Sequence, residues 1–190
     1  NDAFQEVDIM GITMPITKHS YQPKDANDIP SIINTSFEIA STGRCGPVLI
    51  DVPKEVQEQE LDDYVLGTIP TPGYKPTVKG NSKQIAKAAK MLLEADKPFI
   101  LAGGGTILAG ASEEVKKLAE LINAPIATTL MGKGIVDEKD DLAMGMLGMH
   151  GKQVANQNIN KTDCLLAIGC RFSDRTTGKL EEFIPNAKVI

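Results

Sequence analysis

Apolar residues recur every three or four positions in several stretches of the chain, which is the spacing of an amphipathic helix. Asp28 and Ser82 stand directly before two of these stretches, where a short polar side chain can cap the first turn. Three asparagines weaken the helical tendency of the last stretch. The pattern predicts helices over residues 28–43, 82–93, 113–123 and, more weakly, 151–159.

Short aliphatic runs lie between the helical stretches and are bounded by proline, glycine or charged residues. Continuous apolar runs of this length are typical of parallel strands that are covered on both faces. The alternation of such strands with helices favours right-handed crossovers and an α/β fold. Strands are predicted at residues 47–53, 98–102, 125–128 and 164–168, and the beginning of another at 188–190.

A change of composition divides the chain near its middle. Residues 61–81 are rich in proline and glycine, carry mixed polarity and show no periodicity. Such a segment is typical of a linker. We therefore expect the end of one α/β domain in residues 1–60, a linker at 61–81 and a second α/β domain from residue 82 to 190.

Composition limits the classes of function. The net charge is −5, from 20 Lys and Arg against 25 Asp and Glu, and no basic block is present, so nucleic-acid binding is not expected. No apolar run approaches the roughly 20 residues that span a bilayer, so no membrane association is expected. The 3 cysteines lack metal-binding or disulfide spacing, which favours a reducing cytoplasm and predicts no metal site.

Glycine-rich and charged strings follow the predicted strands of the second domain. GGGT follows Ala102, TLMGKG follows the strand at 125–128, and CRFSDR follows Gly169. The carboxyl ends of parallel strands share one edge of a sheet, and open α/β sheets bind ligands there. The sequence therefore predicts a nucleotide crevice at this edge.

Each candidate residue also has an ordinary structural explanation. Gly103, Gly104 and Gly105 either let the backbone approach a phosphate or form a tight turn with positive φ, and they do not match the GxGxxG pattern. Arg171 can pair with a phosphate. His150 is a lone histidine, and such a residue is more often structural than catalytic. Asp174 and Arg175 are adjacent in sequence, and their ordinary structural explanation is a salt bridge with each other.

Seven strings in this order and spacing together resemble one family. DAFQE, ITKHS, GRCGPVLIDVPKEVQ, AGGGT, TTLMGKG, LGMHG and RFSDRTTGK are similar to the large catalytic subunit of acetolactate synthases, also called acetohydroxyacid synthases. The resemblance covers nearly the whole chain. It implies a parallel-sheet, Rossmann-like central FAD-binding domain at 82–190. It also implies that residues 1–60 are the C-terminal part of a thiamine-diphosphate pyrimidine-binding α/β domain.

The resemblance also implies roles for particular residues. The family pattern assigns a substrate channel to Phe4, Gln5, Lys18, Lys54, Met149, Asp174 and Arg175. It assigns FAD contacts to Arg44, Gly104, Thr129, Leu130, Leu147, Gly148, Met149, His150, Gly169, Cys170, Arg171, Phe172 and Ser173. Ser173 stands where the family usually has Asp, and Cys45 where it usually has Pro.

The family joins two pyruvates to 2-acetolactate with loss of CO₂, or pyruvate with 2-oxobutyrate, in branched-chain amino-acid synthesis. The resemblance implies thiamine diphosphate, Mg²⁺ and FAD as cofactors, a homo-oligomer, a regulatory small subunit and a cytoplasmic location. The catalytic glutamate and the GDG motif of the family match nothing within these 190 residues, so we expect a fragment that is inactive alone and truncated in its central domain.

The sequence is also compatible with other functional interpretations. A sister thiamine-diphosphate enzyme, such as a pyruvate oxidase or a glyoxylate carboligase, would share the central domain. A non-enzymatic nucleotide-binding module would share the crevice but not the reaction. An NAD-dependent dehydrogenase is disfavoured because GxGxxG and its acidic ribose partner are absent.

Overall fold

The computed structural model describes residues 6–61, 64 and 66–190 and divides the chain into two compact units, residues 1–80 and 81–190. The boundary falls between Gly80 and Asn81, at the end of the predicted linker. No helix among the described residues has the length and apolar character needed to cross a membrane.

The first unit is built around a short parallel pair of strands. Its elements are α1 (Ile9–Thr13), β1 (His19–Tyr21), α2 (Ile29–Ser41), β2 (Val48–Ile50) and α3 (Lys54–Gln57). His19 lies opposite Val48 and Tyr21 opposite Ile50. The predictions of α2 and of a strand within 47–53 are confirmed, whereas β1 was not predicted, because HSY contains no aliphatic residue.

Helix α2 has the predicted length, with two differences in detail. Asp28 occupies the cap position but makes no capping hydrogen bond with its side chain. Asp25 instead accepts a hydrogen bond from the Asn27 amide, in a 3₁₀ turn before the helix. Ile32 and Ile39 are buried, whereas Phe37 is 74% exposed, so the apolar stripe of α2 is only partly covered within this unit.

Part of the predicted linker is fastened to the first unit. The Ile69 amide donates to Thr35 Oγ1 at 2.8 Å, and Asn34 Nδ2 donates to the Gly67 carbonyl at 3.1 Å. Thr35 is buried and Asn34 is exposed, so the bonds hold the segment from both sides of α2. The segment around residues 67–69 is therefore ordered against α2.

The second unit alternates helices and strands along the chain. Its elements are α4 (Ser82–Leu93), β3 (Pro98–Ala102), α5 (Gly104–Leu108), α6 (Ser112–Ile122), β4 (Ile126–Thr128), β5 (Ala143–Met146), α7 (Gln153–Ile159), β6 (Cys164–Ile168), α8 (Asp174–Thr177) and β7 (Lys188–Val189). Every predicted strand and helix of this region is found, within about two residues at its ends.

The strands form one sheet in the order β5-β4-β3-β6-β7, and all of its pairings are parallel. The chain moves outward from β3 through β4 to β5, then returns to the other side of β3 with β6. This reversal between β3 and β6 is the topological switch point of the sheet. The parallel α/β fold predicted from the alternating pattern is confirmed.

The sheet is covered on both faces, as the continuous apolar strands predict. On one face, Leu101 and Leu165 pack in a buried cluster with Ile159 of α7. On the other face, Ile100 and Ile126 pack with residues of α6. On α6, Val115 and Ala119 are buried, and Leu118 and Ile122 pack against the same cluster.

Two features of the second unit differ from the sequence-based expectation. Strand β5 was not predicted, because AMGM contains a glycine and no β-branched residue, and its pairing with β4 shifts register. The cap of α4 is Asn81 and not Ser82, since Asn81 Oδ1 accepts from the amides of Lys83 and Gln84. On this helix Leu92 is buried, whereas its neighbour Leu93 is 78% exposed.

Candidate ligand site at the carboxyl edge of the sheet

The loops that follow β3, β4, β5 and β6 are joined to one another at the carboxyl edge of the sheet. The Gly103 amide donates to the Ile168 carbonyl at 2.8 Å, and the Thr129 amide donates to the Ala102 carbonyl at 3.0 Å. The Leu147 amide donates to the Thr128 carbonyl at 2.9 Å. Strings that are up to 66 residues apart in sequence therefore leave the sheet side by side, as the parallel topology predicts.

Glycines allow the loops after β3 and β6 to touch at the switch point. The Gly105 amide donates to the Gly169 carbonyl at 2.9 Å. A Cβ atom on Gly103 would lie 2.4 Å from the Gly169 carbonyl oxygen, and one on Gly169 would lie 2.5 Å from the Thr106 nitrogen. We call this contact between Gly103, Gly105 and Gly169 the glycine seam. The backbones of the two loops pack directly against each other here because no side chain lies between them.

The tight-turn explanation of the glycines at 103–105 is wrong in its backbone requirement. Gly103 has φ −111°, and positive φ is not found at Gly104 or Gly105. The positive φ of this site lies instead at Gly169, with φ +60°. Close backbone contact, and not left-handed geometry, is therefore what excludes a side chain at Gly103.

The loop after β5 meets the short helix α8. The Met149 amide donates to the Arg175 carbonyl at 2.9 Å, and the Arg175 guanidinium lies 3.7 Å from the Met149 sulfur. A Cβ atom on Gly148 would lie 2.3 Å from the Arg175 carbonyl oxygen, and Gly148 has φ +112°. The predicted runs 147–150 and 169–175 are thus brought into direct contact.

Charged and ionisable side chains of these loops point to solvent. Arg171 and His150 are exposed, and Arg171 forms no ion pair with any residue in the described ranges. Asp174 and Arg175 approach to 3.9 Å with side chains that are 81% and 71% exposed, so their ion pair contributes little to stability. The site therefore presents cations that remain free to meet a phosphate or a carboxylate.

The thiol of Cys170 sits at the same edge and is half-buried. Burial raises the pKa of Cys170 above that of an ordinary thiol. The thiol form is therefore favoured near neutral pH, and a thiolate is the form that attacks electrophiles or binds metals. In this site Cys170 acts as a packing residue, beside the partly buried Phe172.

The ammonium group of Lys18, predicted to line a channel, caps the carboxyl end of α2. Lys18 Nζ donates to the carbonyl oxygen of Thr42 at 2.7 Å and to the Tyr74 hydroxyl at 3.1 Å, and it also contacts the Ile39 carbonyl. A cation at this position complements the negative end of the helix dipole. The hydrogen bond with Thr42, followed by the nearby Lys18, lowers the pKa of Tyr74 despite some desolvation.

Arg44 and Lys54, two further predicted residues of the first unit, are exposed. Arg44 lies just beyond α2, and Lys54 forms an exposed i,i+4 ion pair with Glu58 at 3.4 Å. Phe4 and Gln5 lie outside the described residues. The ligand roles of Lys18, Arg44 and Lys54 stay predictions.

Asn156 of α7 is a residue that the sequence analysis missed as part of this site. Its side-chain amide makes hydrogen bonds of 2.9 Å to both the amide and the carbonyl of Gly148. In the sequence pattern, Asn156 is recognisable only as a residue of low helix propensity. The signal that could have identified it is a polar residue on the sheet-facing side of α7, one residue after the fully buried Ala155.

An ion-pair cluster links the loop after β4 to the beginning of α7. Glu138 accepts hydrogen bonds from Lys133 Nζ at 2.8 Å and Lys152 Nζ at 2.6 Å. These hydrogen bonds, that of Lys133 first, lower the pKa of Glu138 from 4.5 to about 2. Because the folded-state pKa is depressed, this stabilisation is present above about pH 4.5 and is lost as the pH falls toward 2.

We expect Glu138→Gln to lower the melting temperature slightly at pH 7 and to have less effect at pH 3. The change removes the charge that both lysines contact, and exposed pairs of this kind contribute modestly. Thermal denaturation of both forms at the two pH values measures the difference. Glu94→Gln, in the exposed pair with Lys90, is the matched control and should show a smaller pH dependence. Equal differences at pH 7 and pH 3 would contradict the assignment.

Comparison with known proteins places the chain in a family. Residues 85–190 match the family model for the central domain of thiamine pyrophosphate enzymes. A solved structure from Mycobacterium smegmatis, described as a thiamin diphosphate-dependent enzyme, superimposes with a TM-score of 0.73. It covers 96% of this chain and 35% of its own and is 22% identical, so it supports the fold alone. The chain belongs to the thiamine pyrophosphate enzyme family.

Within that family, the chain is similar over its whole length to acetolactate synthase large subunits. It is 53% identical to a protein of Methanocaldococcus jannaschii named a probable acetolactate synthase large subunit, over 100% of this chain and 33% of the relative. It is 48% identical to the acetolactate synthase large subunit of Corynebacterium glutamicum, over 100% of this chain and 30% of the relative. The chain spans about a third of the length of these curated relatives.

Proposed function

We propose that this chain is part of an acetolactate synthase. The full-length enzyme condenses two pyruvates to 2-acetolactate with release of CO₂, or pyruvate with 2-oxobutyrate to 2-aceto-2-hydroxybutyrate. The observation that carries this proposal is the similarity of 45–53% identity across the whole chain to relatives that are named acetolactate synthases. The match to a thiamine pyrophosphate enzyme domain agrees with the type of reaction.

The proposal includes FAD at the carboxyl edge of the second unit. Numbered within this unit, the strand order is 3-2-1-4-5, which is the order of Rossmann-type sheets that bind dinucleotides at the switch point. The glycine seam lies at that point and joins the two loops through direct backbone contact. A dinucleotide with a diphosphate fits such a site, because backbone amides and an exposed guanidinium are its usual partners.

Residue roles in this flavin site follow the family pattern. We assign Arg171 to the diphosphate, since its guanidinium is exposed and has no ion pair among the described residues. The loops that the hydrogen bonds join at the edge frame the rest of the cofactor. The proposed flavin contacts of the second unit are Gly104, Thr129, Leu130, 147–150 and 169–173.

Thiamine diphosphate, when bound to the full-length enzyme, supplies the carbanion chemistry of the condensation. This chain's own contribution is to bind and orient. In the proposal Lys54 offers a point charge to a keto-acid carboxylate, and Met149 and Arg175 line the channel with an apolar surface and a cation. These two side chains contact each other, with the Arg175 guanidinium 3.7 Å from the Met149 sulfur.

The remaining assignments belong to the same proposal. Residues 1–60 form the end of a pyrimidine-binding domain, and the full-length enzyme takes Mg²⁺ with thiamine diphosphate. It works as a homo-oligomer with a regulatory small subunit. A cytoplasmic location agrees with Cys45, Cys164 and Cys170 being free thiols.

The direct test is to purify the full-length protein, record its flavin absorbance and measure 2-acetolactate formation from pyruvate with thiamine diphosphate and Mg²⁺. The expected result is a bound flavin spectrum and 2-acetolactate as product. A different product from pyruvate, such as acetyl phosphate, would point to a sister enzyme and overturn the assigned reaction. If 2-acetolactate is formed but no flavin is bound, the assignment of FAD is overturned and the assigned reaction stands.

In the full-length enzyme we expect Arg171→Ala to weaken FAD binding by about 10- to 100-fold. The change removes a charge-assisted contact to the diphosphate, which contributes roughly 1.5–3 kcal/mol. Flavin fluorescence during titration of the apoenzyme measures the dissociation constant. An unchanged constant would remove Arg171 from the site.

The matched comparison is Lys54→Ala in the same protein. Lys54 is exposed in the first unit and its ion pair with Glu58 is weak, so the fold should tolerate the change. We expect normal flavin content with lower carboligation for this variant. Flavin loss on replacing Lys54, or unaffected carboligation, would contradict its assignment to the channel.

A further inference from the structure

Asn156 holds a single residue of the candidate site with both ends of its side-chain amide. Its Oδ1 accepts from the Gly148 amide at 2.9 Å, and its Nδ2 donates to the Gly148 carbonyl at 2.9 Å. This pairing satisfies donor and acceptor together, as a neighbouring strand would. The position and orientation of the Gly148 backbone are therefore tied to helix α7.

The Gly148 backbone is buried, so its amide and carbonyl need hydrogen-bond partners within the protein. Its φ of +112° and its contact with the Arg175 carbonyl oxygen leave little freedom of position. The Gly148 carbonyl also accepts from the Gly151 amide at 2.9 Å, which closes the loop on itself. Met149 and His150 follow directly and are exposed, so their placement depends on how Gly148 is held.

Another asparagine on the same helix shows a different arrangement. Asn158 Nδ2 donates to the Val154 carbonyl at 2.9 Å, within α7 itself, and Asn158 Oδ1 lies 3.3 Å from Lys161 Nζ. Those bonds do not reach the site loops. The contacts of Asn156 therefore do not follow from its residue type or from its helix alone.

We propose that Asn156 is a positioning residue that places Met149 and His150 against helix α8 and thereby determines the affinity of the site for FAD. The proposal rests on the flavin site assigned above. The mechanism is indirect, since the side chain of Asn156 is engaged by Gly148 and acts through it. The bond between the Met149 amide and the Arg175 carbonyl is the link from the held loop to α8.

The first test uses Asn156→Asp in the full-length protein, with Asn158→Asp as the matched control. An aspartate at 156 keeps the acceptor but places a second carboxylate oxygen against the Gly148 carbonyl. We expect FAD binding to weaken about tenfold or more at pH 8, relative to the unmodified protein. Lowering the pH toward 5 should recover part of the affinity, because the protonated carboxyl group can again donate, and crowding by a carbonyl raises its pKa.

The control separates this effect from a general change in α7. Asn158→Asp adds the same charge two residues away, where its partner is the helix backbone. We expect an effect on FAD binding smaller than about threefold, with the pH profile of the unmodified protein. Equal losses in both variants, or a loss at position 156 without recovery at low pH, would overturn the positioning role.

The second test does not depend on flavin. In the apoprotein, Asn156→Ala should increase amide hydrogen exchange at residues 148–151 by about tenfold, while the amides of β3 and β6 keep their protection. Unchanged exchange there would overturn the proposal. Faster exchange with unchanged FAD affinity would overturn the link to the cofactor. If the unmodified protein binds no flavin, the proposed flavin site fails, and the exchange experiment still decides whether Asn156 holds the loop.

Discussion

Gly169→Ala is expected to destabilise the second unit by about 3 kcal/mol or more and to disrupt the carboxyl edge of its sheet. The added Cβ atom would lie 2.5 Å from the Thr106 nitrogen and 2.7 Å from both the Cα and carbonyl carbon of Gly105. These are backbone atoms, so no side-chain rotation can relieve the contact. The φ of +60° adds a strain of roughly 1–2 kcal/mol for any residue with a Cβ atom.

Two further alanine variants divide this cost into its parts. Gly103 has φ −111°, and its added Cβ atom would lie 2.4 Å from the Gly169 oxygen, so Gly103→Ala introduces the contact without the strain. Gly110 has φ +64° and nothing within 4 Å of the added atom, so Gly110→Ala introduces the strain without the contact. We expect Gly110→Ala to cost about 1 kcal/mol and Gly103→Ala to cost more.

Denaturant unfolding of the full-length variants, followed by hydrogen exchange at β3 and β6, measures this series. The amides of Gly103 and Gly105 report directly on the seam, because both donate across it. If Gly169→Ala costs no more than Gly110→Ala, the close approach of the two loops is wrong. Weaker FAD binding in Gly169→Ala, but not in Gly110→Ala, is the functional result that we expect.

Leu101→Ala should destabilise the second unit by about 2–5 kcal/mol. Leu101 is fully buried in the central strand β3, between β4 and β6, and packs with Leu165 and Ile159. Alanine would leave a cavity below the loop that begins at Gly103. We therefore also expect lower flavin content at elevated temperature.

Leu121→Ala is the matched control, because Leu121 of α6 is 82% exposed. The same change of side chain at this surface position should alter stability by less than about 0.5 kcal/mol. Denaturant unfolding of both variants measures the pair. Similar losses for the two leucines would mean that Leu101 does not lie in the core.

The sequence predicted the elements of the second unit well, because their apolar patterns are long and bounded by clear turn residues. Pro98–Ala102 and Cys164–Ile168 were placed to the residue. Strand β5 escaped prediction, since its pairing with β4 depends on a neighbour in space and not on its own composition. The same holds for β1, which is a strand because β2 lies beside it.

The candidate site was predicted in part for a related reason. Parallel topology alone predicts that the strings after β3, β4 and β6 meet at one edge, and the structure brings them together. What the pattern could not supply was the pairing of particular groups. Asn156 reaching Gly148 and Lys18 reaching the end of α2 are contacts between side chains and distant carbonyls, and no periodicity encodes them.

The glycine seam has a consequence for how this edge tolerates mutational drift. Every amino acid except proline carries the same amide and carbonyl, so the hydrogen bonds that join the two loops do not depend on the surrounding side chains. The requirement there is the absence of a side chain at Gly103, Gly105 and Gly169, not a particular functional group. Side chains of the flanking loops can then change while the two loops keep their close approach.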